Sequence, residues 1–209
     1  IVSILLNEIR SNAFRRISQT LIYLPHFLSW IILAGIMIDL LSPNGGLVNR
    51  FLGLFGAEPI FFLGSNKWFR FTLVFTDVWK EFGFGTIVYL AAITNIDPTQ
   101  YEAATIDGAN RFQRIMHVTL PNMRMIIVLM MVLSLGNVLN AGFDQVYNMY
   151  SEAVYPTGDI LDTFIYRLSF KNGLWGQSAA VSMFKSVVST LFISVSYLCA
   201  YKFADYRVF

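Results

Sequence analysis

Apolar residues along the chain gather into four long runs separated by short polar islands. Residues 17–38 contain no Asp, Glu, Lys or Arg, and at 1.5 Å rise per residue such a run crosses a hydrocarbon core of about 30 Å. Pro25 and Gly35 are tolerable kinks within it. Further runs cover 71–96, 121–143 (uncharged from Met125 to Phe143) and 179–201, the last interrupted only by Lys185. The pattern predicts an all-α, polytopic transmembrane helical bundle, with residues 1–209 forming one membrane domain.

The intervening stretches carry their own punctuation. Ser42-Pro43-Asn44-Gly45-Gly46 is a dense turn signal. It opens an outer segment over 43–67, in which Leu47, Phe51, Leu52, Leu54 and Phe55 predict a short helix lying at the interface. Trp68 and Phe69 fit an aromatic belt where the chain re-enters the membrane. A second outer segment is expected over 144–177. There Ile160, Leu161, Phe164, Ile165 and Leu168 recur at helical spacing, so an interfacial helix is predicted from Asp159 to Phe170, ending near Asn172-Gly173. Ile1 to Leu6 is apolar and breaks into Asn7-Glu8-Ile9-Arg10, as the end of an earlier membrane helix would. With no initiator Met in place, further N-terminal helices are expected.

Residues 97–121 form the polar island with the most local chemistry. Asp97 is placed to cap free amides, and Pro98 takes the first helical position, where its missing N–H costs nothing. Gly108 suits a left-handed bend after helix-forming Gln100 to Asp107. The expected product is a short helix, a turn, and a second short helix ending near His117. Tyr101, Ala104, Thr105, Gly108, Phe112 and Ile115 then share one small, partly apolar face beside a charged one, suited to a groove on another protein.

Composition narrows the class. Hydrophobic residues make up 56% of the chain and charged residues 13%, which departs from soluble domains toward membrane proteins. Lys and Arg number 15 against 13 Asp and Glu, an excess too small to support nucleic-acid binding. Cys199 is the sole cysteine, so neither an internal disulfide nor a cysteine-built metal site is available. His26 and His117 lack metal-ligand spacing and read as packed or hydrogen-bonded side chains. Pro43 to Gly46 lacks the Gly-Lys-Ser/Thr of a nucleotide-binding loop, and no Ser/His/Asp grouping stands out as catalytic. Orientation follows from the arginines: Arg10, Arg15, Arg16, Arg111, Arg114, Arg124, Lys202 and Arg207 fall on one side, against Arg50, Lys67, Arg70, Arg167 and Lys171 on the other. The richer side is cytoplasmic by the positive-inside rule.

Polar residues within the spans are the candidate chemistry. Asp77, Lys80 and Glu81 at membrane depth are expensive, at about 2.5–3.5 kcal/mol each on insertion scales, so they should face water, protein or one another. Lys80 stands three residues from Asp77 and beside Glu81, and a local ion pair would lower the cost. Two readings stay open: hydration near the outer end of the helix, or Trp79, Lys80 and Glu81 lining a solute path. Ser134, Asn137 and Asn140 make a polar strip on the third span, either bonded to a neighbouring helix or facing solute. A proton relay through Asp77, Glu81 and Lys185, as in an ion-coupled carrier or channel, is the alternative function.

Glu102-Ala103-Ala104, three residues, Gly108, nine residues, Val118, one residue and Leu120-Pro121 together resemble the EAA loop of ABC-importer permeases. Val118 replaces the usual Ile, and Met125 stands where many sugar permeases carry a second Pro. The resemblance implies that Tyr101, Glu102, Ala103, Ala104, Asp107, Gly108, Phe112, Leu120 and Pro121 serve as the coupling element that inserts into a cytoplasmic ATPase. It further implies a type I importer fold in a bacterial cytoplasmic membrane. The expected partners are a second permease subunit, two ABC ATPases that bind ATP and Mg, and an extracytoplasmic solute-binding protein; this subunit would carry no cofactor and no catalytic residue. In maltose-type permeases the helix after the loop contributes Ser and Asn side chains to sugar contact, which implicates Ser134, Asn137 and Asn140. Ala141 to Tyr147, followed by Gly158 to Thr163, is similar to permeases importing alginate or other oligosaccharides. Trp79 and Tyr147 would offer rings to a sugar's apolar faces. Lys80 or Lys185 would offer a counter-charge to an acidic one, whereas Glu81 and Asp144 argue against a strongly anionic path.

Overall fold

Pro25 and Ser29 decide how the first apolar run folds. The structure, a computed structural model, describes residues 1–136 and 138–204. Helix α1 (Val2–Asn7) is followed by α2 (Asn12–Phe27), which stops just after Pro25. Helix α3 (Trp30–Leu41) then restarts with Ser29 as its N-cap, the Ser29 hydroxyl accepting from the Ile32 amide at 3.4 Å. Where one continuous helix was expected over 17–38, the two axes turn by 102° at the break. The proline has no N–H to continue the ladder, and the serine offers the next helix a start four residues later. Gly35 lies inside α3 without breaking it.

The remaining elements are α4 (Leu47–Gly53), α5 (Phe69–Thr94), α6 (Pro98–Ile106), α7 (Arg111–Arg114), α8 (Leu120–Gly136), α9 (Phe143–Met149), α10 (Tyr155–Gly158), α11 (Leu161–Tyr166) and α12 (Trp175–Ala204). The helix expected over 159–170 is realised as α11 and a π turn over Arg167–Lys171. A second π turn, Ile115–Thr119, joins α7 to α8. The short helix expected to end near His117 therefore continues, and Arg111–Leu135 is one helix long and apolar enough to cross a membrane. Pro121 sits inside it rather than at its start. Its missing N–H leaves no i−4 bond to make, and the wider π turn just before it, closed by the Leu120 amide on the Ile115 carbonyl, accommodates the loss. At the other end α8 stops at Gly136, short of the expected 143, so Asn140 lies beyond the helix.

Trp175–Leu198 also has the length and apolarity of a span. Helix α5 has the length, at 26 residues, but carries Arg70, Asp77, Lys80 and Glu81. Large apolar side chains stand exposed along these helices, among them Phe71 and Phe75 on α5 and Val187, Leu191 and Leu198 on α12. Such faces suit lipid or partner helices.

The chain divides into two compact units. Among the described residues, the first comprises 1–24, 82–136 and 190–204. Its core is Ile93, Ile96 and Met123, with Tyr89, Tyr101, Val118 and Ile127 packed around them. Within it α2 and α5 approach closely at Gly83, where an added Cβ would fall 2.1 Å from the Ile22 carbonyl oxygen. The second unit comprises 25–81 and 138–189. Its core is Ala34, Leu63, Phe69, Met149 and Val154, flanked by Trp30, Met37, Leu41, Leu73 and Tyr150. Phe69, offered by the sequence as an interfacial ring, is fully buried there.

Two buried amides stitch the second unit. The Gln145 side chain on α9 donates to the Leu73 carbonyl and the Thr76 hydroxyl on α5, each at 2.8 Å. Asn49 on α4 donates to the carbonyls of Leu41, Ser42 and Ile60 and accepts from the Ile60 amide at 2.8 Å. It thereby closes the loop after α3 without regular structure. Replacing Asn49 with Leu leaves those main-chain groups unpaired, and each unpaired group costs about 1–3 kcal/mol. The expected outcome is a thermal unfolding midpoint several degrees lower in detergent or nanodiscs, read by a thermal-shift scan.

Candidate functional site

In the first unit, the polar island folds from its own end signals. The Asp97 carboxylate accepts from the Thr99 amide at 2.9 Å and Pro98 occupies the first turn of α6. That backbone hydrogen bond, reinforced by the Thr99 side chain, holds the Asp97 carboxyl below its ordinary pKa. At the other end of α6, the Ala109 amide returns to the Ala104 carbonyl at 2.9 Å, and Gly108 takes φ = 78°. Asn110 and Gln113 then close a reciprocal capping box at the start of α7.

The resulting bend is anchored on one side and open on the other. The Tyr101 and Thr119 hydroxyls lie 3.0 Å apart, the Arg114 guanidinium donates to Thr105 at 3.2 Å, and Asn122 donates to Gln100 and to the Val118 carbonyl at 2.8 Å each. Tyr101 and Val118 pack on the Ile93–Ile96–Met123 core. Ala104 and Leu120 are half-buried, whereas Glu102, Ala103, Asp107, Gly108 and Pro121 are exposed. Ile106 is 86% exposed and Phe112 69%. All nine residues singled out for coupling lie on this bend or where it joins α8. Tyr101, expected on the docking face, packs inward instead; Ile106, exposed five residues on at the other side of α6, was not among the nine, and its place one residue before Asp107-Gly108 is the signal that marks it.

In the second unit a cavity of about 520 Å³ is bounded by α3, α5, the turn before α9, and the stretch from Thr157 to Ile160. Of the solute-path candidates, Glu81 and Asn140 line it. Trp79, Lys80, Ser134, Asp144 and Tyr147 do not, and Asn137 lies outside the described residues. Trp30, Arg70, Asp77, Gln145, Thr157 and Asp159 complete the polar and aromatic lining. Asp77 stood out only as a membrane-depth charge, Gln145 only through the resemblance of Ala141 to Tyr147, and Asp159 within that of Gly158 to Thr163; the rest escaped sequence reading because the break at Ser29 brings in Trp30 and the chain near Thr157 meets α5 only through long-range contacts. Arg70, for example, donates from Nε to the Thr157 carbonyl at 2.7 Å.

The charges at this cavity are mostly committed. Lys80, 6% exposed, donates to Glu81 Oε1 at 3.1 Å and to the His26 carbonyl at 2.9 Å, and stands 5.6 Å from the Trp30 ring centroid. His26 Nδ1 lies 2.9 Å from Glu81 Oε2. The local ion pair joins Lys80 to Glu81, while Asp77 faces the cavity. Asp159 is held by Arg167 through two hydrogen bonds. Burial raises the Asp159 carboxyl, but the Arg167 and Thr163 donors outweigh it and leave the pKa lowered. Arg167 is raised in turn, chiefly by its hydrogen bonds to Asp159.

Lys185 donates to both Asp162 oxygens, at 2.6 and 2.8 Å, and to Asn140 at 3.2 Å. The three members of the supposed proton relay are thus not joined: Glu81 is tied to His26 and Lys80, and Lys185 to Asp162. The polar strip on the third span is also divided. Ser134 bonds back to the Met130 carbonyl on α8, while Asn140 sits in the turn beyond the helix. Tyr147 stacks on Phe143 and its hydroxyl donates to that of Tyr166. Asp144 is exposed at the start of α9.

Comparison with known proteins fits both halves of this description. Residues 1–208 match the family described as "Binding-protein-dependent transport system inner membrane component". The chain is 39% identical over 209 residues to the polygalacturonan/rhamnogalacturonan transport system permease protein YteP of Bacillus subtilis strain 168, covering all of this chain and 65% of that protein. It is 41% identical to protein LplB of the same organism, again over all of this chain and 66% of that one. It therefore spans about two thirds of the length of these relatives. Among solved structures, a bacterial ABC transporter involved in the import of the acidic polysaccharide alginate superposes with a TM-score of 0.93 at 37% identity, over 97% of this chain and 71% of that one. A protruding, self-capped bend on one unit and a polar cavity on the other, in a chain matched from end to end, carry one conclusion: the chain belongs to the family of inner membrane components of binding-protein-dependent transport systems.

Proposed function

We propose that the chain is the membrane-spanning permease subunit of an ATP-driven importer of carbohydrates, oligosaccharides in particular. One of two cytoplasmic ABC ATPases grips the bend formed by α6, Gly108 and α7, and closure of the pair on ATP and Mg moves the helices attached to it. A second permease subunit completes the path, and an extracytoplasmic binding protein delivers the sugar. The observation that carries this reading is the exposure of Ile106 and Phe112 beside Glu102 on a bend whose opposite side is fixed by hydrogen bonds and core packing. A short helix that presents apolar side chains on a braced base is suited to docking in a groove.

The second-unit cavity supports a sugar as cargo. Trp30 offers a flat apolar wall, and Asn140 and Thr157 line it with groups that pair with hydroxyls. YteP is named as a polygalacturonan/rhamnogalacturonan permease and the superposing transporter imports alginate, which favours oligosaccharides derived from polysaccharides. Lys80 and Lys185, the counter-charges considered for an acidic sugar, are both engaged by carboxylates. Arg70 is the basic side chain at the cavity.

Two tests address the two halves. At Gly108 an added Cβ meets no atom within 4 Å, yet φ = 78° strains any L side chain there. A β-branched residue at that position costs about 1–3 kcal/mol in the bent state. Gly108→Val, and Glu102→Lys by charge reversal, are expected to abolish most sugar-stimulated ATP hydrolysis in the reconstituted transporter; hydrolysis and uptake at the unmodified level in both would remove the bend from coupling. Asn140→Leu is expected to slow uptake by about 2–10-fold, the worth of one lost hydrogen bond, with subunit assembly intact on size-exclusion chromatography. Unchanged uptake kinetics would take Asn140 off the path.

A further inference from the structure

A second cavity, of about 310 Å³, lies wholly in the first unit and shares Tyr101, Arg111 and Arg114 with the bend. Arg10, just beyond α1, and Arg111 and Arg114, on α7, line it together with one acidic residue, Glu8. Arg114 spends one N–H on Thr105. Among the described residues, Arg10, Arg111 and Glu8 form no ion pair and no side-chain hydrogen bond. Three guanidinium groups against one carboxylate leave a net positive cavity with donors to spare. The nearby Tyr101 and Thr119 hydroxyls, bonded to each other, add polar groups to the wall.

The remaining lining decides what kind of anion fits. Ile9 and Ile115 give the cavity an apolar side. Asn7, the last residue of α1, lines it as well. All three arginines belong to the arginine-rich, cytoplasmic side of the membrane. A free inorganic anion would use the guanidinium groups and leave the isoleucines idle; a phospholipid uses both. We propose that this cavity binds the phosphate of an anionic phospholipid headgroup from the cytoplasmic leaflet, held between Arg10 and Arg111. Arginine suits the task because its planar fork meets two phosphate oxygens at once and stays charged. Bound there, the lipid ties the chain after α1 to α7 and braces the bend from the membrane side.

The test uses the full-length permease assembled with its partner subunits in nanodiscs, with hydrogen exchange followed at the amides of residues 7–10 and 111–119. Three conditions are compared: phosphatidylcholine alone, phosphatidylcholine with phosphatidylglycerol, and phosphatidylcholine with millimolar inorganic phosphate. Phosphatidylglycerol is expected to slow exchange at these amides, and the Arg10→Gln/Arg111→Gln double variant should need roughly thirtyfold more phosphatidylglycerol for the same protection, since each arginine near a charged headgroup is worth about fivefold. Arg111→Lys, which keeps the charge and loses the fork, should fall between the two. Equal slowing by inorganic phosphate in neutral discs would assign the site to a free anion and overturn the lipid. Protection that ignores phosphatidylglycerol, that is the same in the double variant, or that follows the presence of the ATPase partners instead, overturns the site. None of these outcomes depends on the cargo being a carbohydrate.

Discussion

The second unit depends on how the broken end of α2 is satisfied. Stopping a helix in an apolar setting strips its last carbonyls of partners, and water is not at hand to replace them. Lys80, reaching from α5, donates to the His26 carbonyl at that point while Glu81 beside it meets both Lys80 and the His26 ring. A buried ammonium would be prohibitive alone, and a buried carbonyl costly; placed together they offset one another. The same cluster positions Trp30, the first residue of α3, against the ammonium and at the cavity wall. The charges that look like a liability in a membrane helix are thus what allow the chain to turn by 102° where it does.

Much of this was legible in the residues, and what was not has an identifiable cause. Local signals gave local structure: Asp97-Pro98 started α6, Gly108 took the left-handed bend, and three of the four apolar runs became long helices. Periodicity and charge-free length, however, do not report tertiary contact. Lys80 could be seen to need a partner, but choosing Glu81 and a main-chain carbonyl over Asp77 required knowing that α2 breaks beside it. Asn140 belonged by spacing to the same face as Ser134, yet Val138 and Leu139 already turn and Asn140 meets Lys185 instead. Pro25 was read as a kink to be tolerated; combined with Ser29 four residues on, it is a stop followed by a start.

The functional reading divides in the same way. The bend at residues 97–121 is built from contacts close in sequence, so spacing alone singled it out. The cavity of the second unit is built from segments as far apart as Arg70 and Thr157. Only Glu81 and Asn140 were anticipated there. Trp30 had no signal of its own, an aromatic after a serine being a common feature, and Gln145 stood out only through the resemblance of Ala141 to Tyr147. Their placement depends on partners that lie far away along the chain.

The π turn over Ile115–Thr119 has a mechanical meaning. Because it lets Arg111–Leu135 run as one helix, the exposed Phe112 is the tip of a continuous shaft rather than the end of a tethered hook. A sideways force at the tip is converted into tilt or rotation of the whole shaft, with no loop to absorb it. The single wide turn, with its looser ladder beside Pro121, is the one compliant joint along that length, and it fixes where such a shaft would flex.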